Sequence, residues 1–180
     1  MASTSISKSP SAPATSPGFL WFALILLVIS VCINYIDRGN LSVAGSDVRH
    51  DMGLDQEQLG KLFSAFFWTY ALAQVFAGWL LARFNVNWLY ALGYFLWSGA
   101  TALTGYVTGF EMMFGLRLIL GLSESVAYPC YSKIIAAEFP EHQRGIANAL
   151  IDAGSKLGPA LGIIVCGGLM TAYGWRSMFI

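Results

Sequence analysis

The chain has 180 residues, of which 56% are hydrophobic and 11% charged, and its ten basic and ten acidic side chains balance to a formal net charge of zero. Ordinary soluble domains carry about 25% charged residues, so an apolar excess of this size, with a mean hydropathy of +0.60, calls for lipid as the solvent. The zero net charge and the lack of any nucleic-acid-reading motif exclude a nucleic-acid partner, while the three cysteines and two histidines form no metal-ligand or nucleophile–base set, so no metal, no other cofactor and no catalytic centre is expected.

Residues 1–18 are rich in Ser, Ala and Pro and read as a disordered cytoplasmic tail. The uncharged run that follows predicts a first helix over about 19–40, long enough to cross most of a hydrocarbon core about 30 Å thick. It is not a signal peptide, because the basic flank is thin and no small-residue cleavage site follows. The polar segment 41–61 reads as an acidic connector. Two further charge-free runs predict helices over 57–82 and 87–108, and the short turn between them forces an antiparallel pair. A fourth helix is expected over 111–139, interrupted by Arg117, Glu124 and Lys133, and a fifth over 144–173, carrying Asp152 and Lys156. From Trp175 the chain resembles the entry to a sixth. The fold expected is therefore all-α and membrane-embedded, with five transmembrane helices and the start of another. Lys8, Arg83, Arg144 and Lys133 on one side against Arg49, Lys61 and Arg176 on the other lean towards a cytoplasmic amino terminus.

Ionisable groups at bilayer depth cost on the order of 3 kcal/mol each and so require a reason. Arg117 and Glu124 are seven residues apart, which places them on nearly the same helix face about 10 Å apart along the axis. They read either as a buried ion pair or as the wall of a polar cavity with an anion-binding arginine and a protonatable acid. Tyr35, Asp37 and Arg38 bring another acid and base together about 27 Å along the first helix, where a site and a snorkelling interfacial pair are both compatible with the geometry. Asp152 and Lys156, four residues apart, read as a structural salt bridge. Gly154, Gly158 and Gly162 clear one helix face for close packing, and Pro129 and Pro159 mark local breaks.

Asn34 to Ser42, Arg117 with Glu124, Pro140 to Gly145 and Gly154 to Gly162 together resemble the first helix, the fourth-helix pair, the connector before helix five and the glycine–proline pattern of helix five in the major facilitator superfamily. Within it, the likeness is to the anion:cation symporters of the sugar-acid, hexuronate and sialin-like type, and it covers nearly everything after the tail. The resemblance implies a bundle of two six-helix halves, of which this chain supplies the amino-terminal one, with a site between the halves near the midplane. It implies that Tyr35, Arg38 and Tyr70 contact the substrate, that Asp37 and Glu124 exchange protons, and that Arg117 tunes Glu124. After the second helix Gly78 and Arg83 match the family, whereas Ala82 and Asn85 stand where it has an acid and a second glycine.

The function so implied is proton-coupled symport of an organic anion, a sugar acid or another small carboxylate, in a bacterial inner (plasma) membrane. The partners are the anion, the proton, the lipid bilayer and a carboxy-terminal six-helix half beyond this chain. The alternative is a non-transporting membrane scaffold or assembly subunit.

Overall fold

A computed structural model describes residues 16–180, and every regular element among them is helical. In chain order these are α1 (Pro17–Met52), α2 (Gln56–Arg83), α3 (Val86–Thr104), α4 (Phe110–Glu124), α5 (Ala127–Glu138), α6 (Glu141–Tyr173) and a 3-10 turn, η1 (Trp175–Met178). The expectation of a disordered tail lies outside the described residues except at its last positions, where Pro17 opens α1.

Two boundaries differ most from the sequence reading, while the third helix ends at Thr104 and the last begins at Glu141, each within about a turn of expectation. The first helix does not stop near residue 40 but runs on through the charged segment to Met52. Leu41, Ala44 and Val48 repeat at helical spacing and are buried, so this segment has a core face despite Asp47, Arg49 and Asp51 on its other side. It ends where Gly53 adopts a left-handed conformation (φ 62°) and its N–H reaches the carbonyls of Arg49 and His50. The expected fourth helix is two helices, α4 and α5, divided at Ser125 and Val126. Pro129 accounts for the break, because it has no N–H to bond the Ser125 carbonyl four residues earlier and its ring crowds that carbonyl.

The other ends carry local signals. Asp55 accepts from the Gln58 N–H while the Gln58 side chain accepts from the Asp55 N–H, closing a capping box on α2. Asn85 accepts from the N–H groups of Asn87 and Trp88 and starts α3. Lys133 of α5 donates to the Leu81 carbonyl at the end of α2, so the turn that lacks the family acid is held by a lysine from another helix.

The bundle is built on two close helix pairs, α1 with α6 and α2 with α4, with α3 lying against α4. The first pair is parallel. Gly154 faces Val28 and Cys32, Gly158 faces Cys32 and Tyr35, Gly162 faces Ile36, and Cys166 donates to Asn40. Gly121 lets α4 approach the Phe66 carbonyl and Thr69 of α2 in the same way.

Polarity is inverted relative to a soluble protein. Phe67, Trp68, Leu72, Val75, Phe76 and Trp79 are exposed on α2, whereas Asn34, Asp37, Asn40, Arg117 and Glu124 are buried. This is the arrangement that lipid demands. Helices α1 from Gly18, α2 and α6 are each long and apolar enough to cross a membrane. Helix α3, diluted by Trp, Tyr and Gly, and the divided pair α4 and α5 are not in that group.

Candidate functional site

The charged residues singled out in the sequence converge on one place between α1, α2 and α4. Arg38 projects from α1 and donates through Nε to Glu124 Oε2 of α4 at 2.6 Å. Glu124 has no exposed surface. Around the same guanidinium stand three aromatic rings, with centroids 4.7 Å away at Tyr35, 4.5 Å at Tyr70 and 5.3 Å at Phe66. A guanidinium sandwiched in this way keeps its charge in a low-dielectric site, because ring quadrupoles and one carboxylate replace water. The rings are themselves fixed. Tyr70 stacks on Phe66 and accepts from Gln74 at 3.0 Å, and Tyr35 meets Tyr128 edge-on.

Asp37, about 100° around α1 from its neighbour Arg38, is buried and turned towards Arg117 and Thr101. Arg117 is within electrostatic reach of both Asp37 and Glu124. Among the described residues it forms no salt bridge, and its Nε and one terminal nitrogen have no protein partner. The alternative of a direct Arg117–Glu124 ion pair is therefore corrected: Glu124 pairs across the bundle with Arg38, and Arg117 acts on it only through space. Two acids and two arginines thus form one neutral cluster, in which Glu124 Oε1, one Arg38 nitrogen and two Arg117 nitrogens remain unmatched by protein atoms. Each unmatched buried group carries a desolvation cost of about 1–3 kcal/mol, more when charged, so the cluster is poised to take an anion or a proton.

All six residues proposed from the sequence, Tyr35, Asp37, Arg38, Tyr70, Arg117 and Glu124, are in this region. Phe66 and Thr101 belong to it as well. Neither has a sequence signal of its own, Phe66 being one of twelve phenylalanines. Beyond Tyr35, a hydroxyl network joins Ser30 to Tyr90 at 2.5 Å and to Tyr131 at 3.4 Å, and ties α1 to α3 and α5.

Asp152 and Lys156 do not form the expected bridge. Both are exposed on α6, no ion pair joins them, and Ser155 donates to the carbonyl of Asp152 and, at 3.5 Å, to its side chain. Four-residue spacing permits such a pair, but in the absence of burial it does not compel one.

Residues 27–180 match the family model of the Major Facilitator Superfamily. The chain is 36% identical over 180 residues to the probable galactarate/D-glucarate transporter GudP of Bacillus subtilis, an alignment covering 97% of this chain and 39% of that protein. It is 34% identical over 160 residues to the D-galactonate transporter of Escherichia coli O6:H1, covering 89% of this chain and 37% of the relative. The chain thus spans about two fifths of the length of these relatives. Among solved structures, a bacterial homolog of the human lysosomal transporter Spinster, inward-facing and occupied, superposes with a TM-score of 0.84 over 92% of this chain and 41% of that one. At 21% sequence identity this likeness is one of fold.

Proposed function

This chain belongs to the Major Facilitator Superfamily and is therefore an integral membrane protein; from that premise we propose that it forms the amino-terminal wall of a proton-coupled carrier for an organic anion of the sugar-acid class. Five crossings, by α1, α2, α3, the α4–α5 pair and α6, with η1 entering a sixth, and a cytoplasmic amino terminus complete the reading. A second six-helix half supplies the opposite wall. The relatives, described as carriers of galactarate, D-glucarate and D-galactonate, support the substrate class.

The observation that carries the mechanism is the pairing of Arg38 with Glu124 inside its aromatic cage. An ionised Glu124 holds the one group best suited to bind a substrate carboxylate. When Glu124 takes a proton, the pair weakens and the guanidinium is released to the incoming anion, while Tyr35 and Tyr70 keep it in place. Binding of the proton and of the anion are linked because each favours the state that accepts the other. Asp37 serves as the second proton carrier, and Arg117, between the two acids, sets how readily each gives its proton up.

In the complete transporter, Glu124→Gln mimics the protonated acid. It is expected to keep exchange of labelled galactarate across vesicles and to lose accumulation driven by a proton gradient. Normal proton-driven accumulation in this variant overturns the coupling role.

A further inference from the structure

The exposed surface of α6 is divided. Ile146, Leu150, Leu157, Leu161 and Ile164 form an apolar strip, while Asn148, Asp152 and Lys156, at successive four-residue steps, mark a second strip that the exposed Ile163 continues. On a helix of 3.6 residues per turn the centres of the two strips lie about 140° apart. Lys156 stands near the middle of the 33-residue helix, at a depth where an ammonium facing hydrocarbon is strongly disfavoured. It has neither a salt bridge nor a hydrogen bond among the described residues, and Asp152, one turn away, leaves it free. Lys156 stands on α6 between Gly154, which packs on Val28 and Cys32, and Gly158, which packs on Cys32 and Tyr35, so it lies at the level of Tyr35 along the pair, with its charge within electrostatic reach of the phenol. The Arg38 guanidinium lies over that ring, 4.7 Å from its centroid.

We propose that Lys156 is the second cationic contact of the binding site and selects dicarboxylates, with Arg38 holding one end of a sugar diacid and Lys156 the other across the Tyr35 ring. This rests on the anion-carrier reading given above. A monocarboxylate of the same chain length fills the Arg38 position and presents only hydroxyls towards Lys156. Discrimination between the two classes then resides in one ammonium group on α6, separate from the proton-coupling acids.

The test is uptake by the complete transporter in vesicles, with galactarate as the diacid and D-galactonate as the monoacid, for the parent protein, Lys156→Gln and Lys156→Arg, each checked for a single monodisperse peak in detergent. In Lys156→Gln the KM for galactarate relative to that for D-galactonate is expected to rise about tenfold, the effect of one charged contact. Lys156→Arg is expected to bring that ratio back to within about threefold of the parent value. Equal losses for both acids, or no change for either, overturn the inference while leaving the carrier reading intact. A parent protein that carries neither acid overturns the carrier reading, and this inference with it.

Discussion

Replacing Gly158 by alanine tests how far the site depends on the contact between α1 and α6. A Cβ at this position falls 2.6 Å from the Cys32 carbonyl oxygen, 3.0 Å from the Tyr35 Cβ and 3.1 Å from the Cys32 Cα. Ordinary contact begins near 3.4 Å, so α1 must retreat by roughly 0.8 Å. The atoms struck are backbone or next to it and cannot rotate away, which puts the cost at the upper end of the overpacking range, about 3 kcal/mol. Alanine returns about 1 kcal/mol through its better helix propensity, leaving a net loss of about 2 kcal/mol. On the same helix, Gly168 has nothing within 4 Å of its Cβ position, so Gly168→Ala is expected to stabilise by about 1 kcal/mol. Thermal unfolding in detergent, followed by loss of the monodisperse peak, places Gly158→Ala several degrees below the parent and Gly168→Ala at or above it. Because the retreat of α1 carries Tyr35 away from Gly158, anion affinity falls with it. A Gly158→Ala protein as stable as Gly168→Ala refutes the reasoning.

Arg38→Lys keeps the charge but loses the planar group that stacks between Tyr35, Phe66 and Tyr70, and anion binding measured by thermal shift with galactarate is expected to fall by at least about tenfold. Asn85→Ala removes the acceptor at the start of α3 and is expected to cost about 1 kcal/mol of stability, read as a lower unfolding midpoint with unchanged anion affinity.

Arg117 and Glu124 were legible as a polar feature because lipid makes isolated charges expensive, and seven-residue spacing put them on one face. The partner of Glu124 was not legible, because Arg38 is 86 positions away on another helix and periodicity within one segment is silent about what crosses the bundle. Tyr70 entered only through the family resemblance, and Phe66 not at all, since an aromatic ring beside a cation looks in sequence like any core residue. The carboxy-terminal end of α1 was missed for a different reason: its charges suggested a loop, while the helical repeat of Leu41, Ala44 and Val48 was too short to stand out beside them. At Asp152 and Lys156 the spacing was read correctly and the inference drawn from it was wrong, because an exposed pair has no desolvation to force it together. The divided fourth helix was foreshadowed by Pro129, although a kink and a full break look alike before the surrounding helices are known.

Helix α1 is 36 residues long, about 54 Å, and its carboxy-terminal end is tied down where Asp51 accepts from Trp175 and Arg176. Arg38 sits about 21 Å from that end, so a tilt of 5° about the cation swings Met52 by roughly 2 Å. On such a rod any tilt at the cation is magnified at Met52, where a fluorophore at exposed His50 reads it out without touching the cavity.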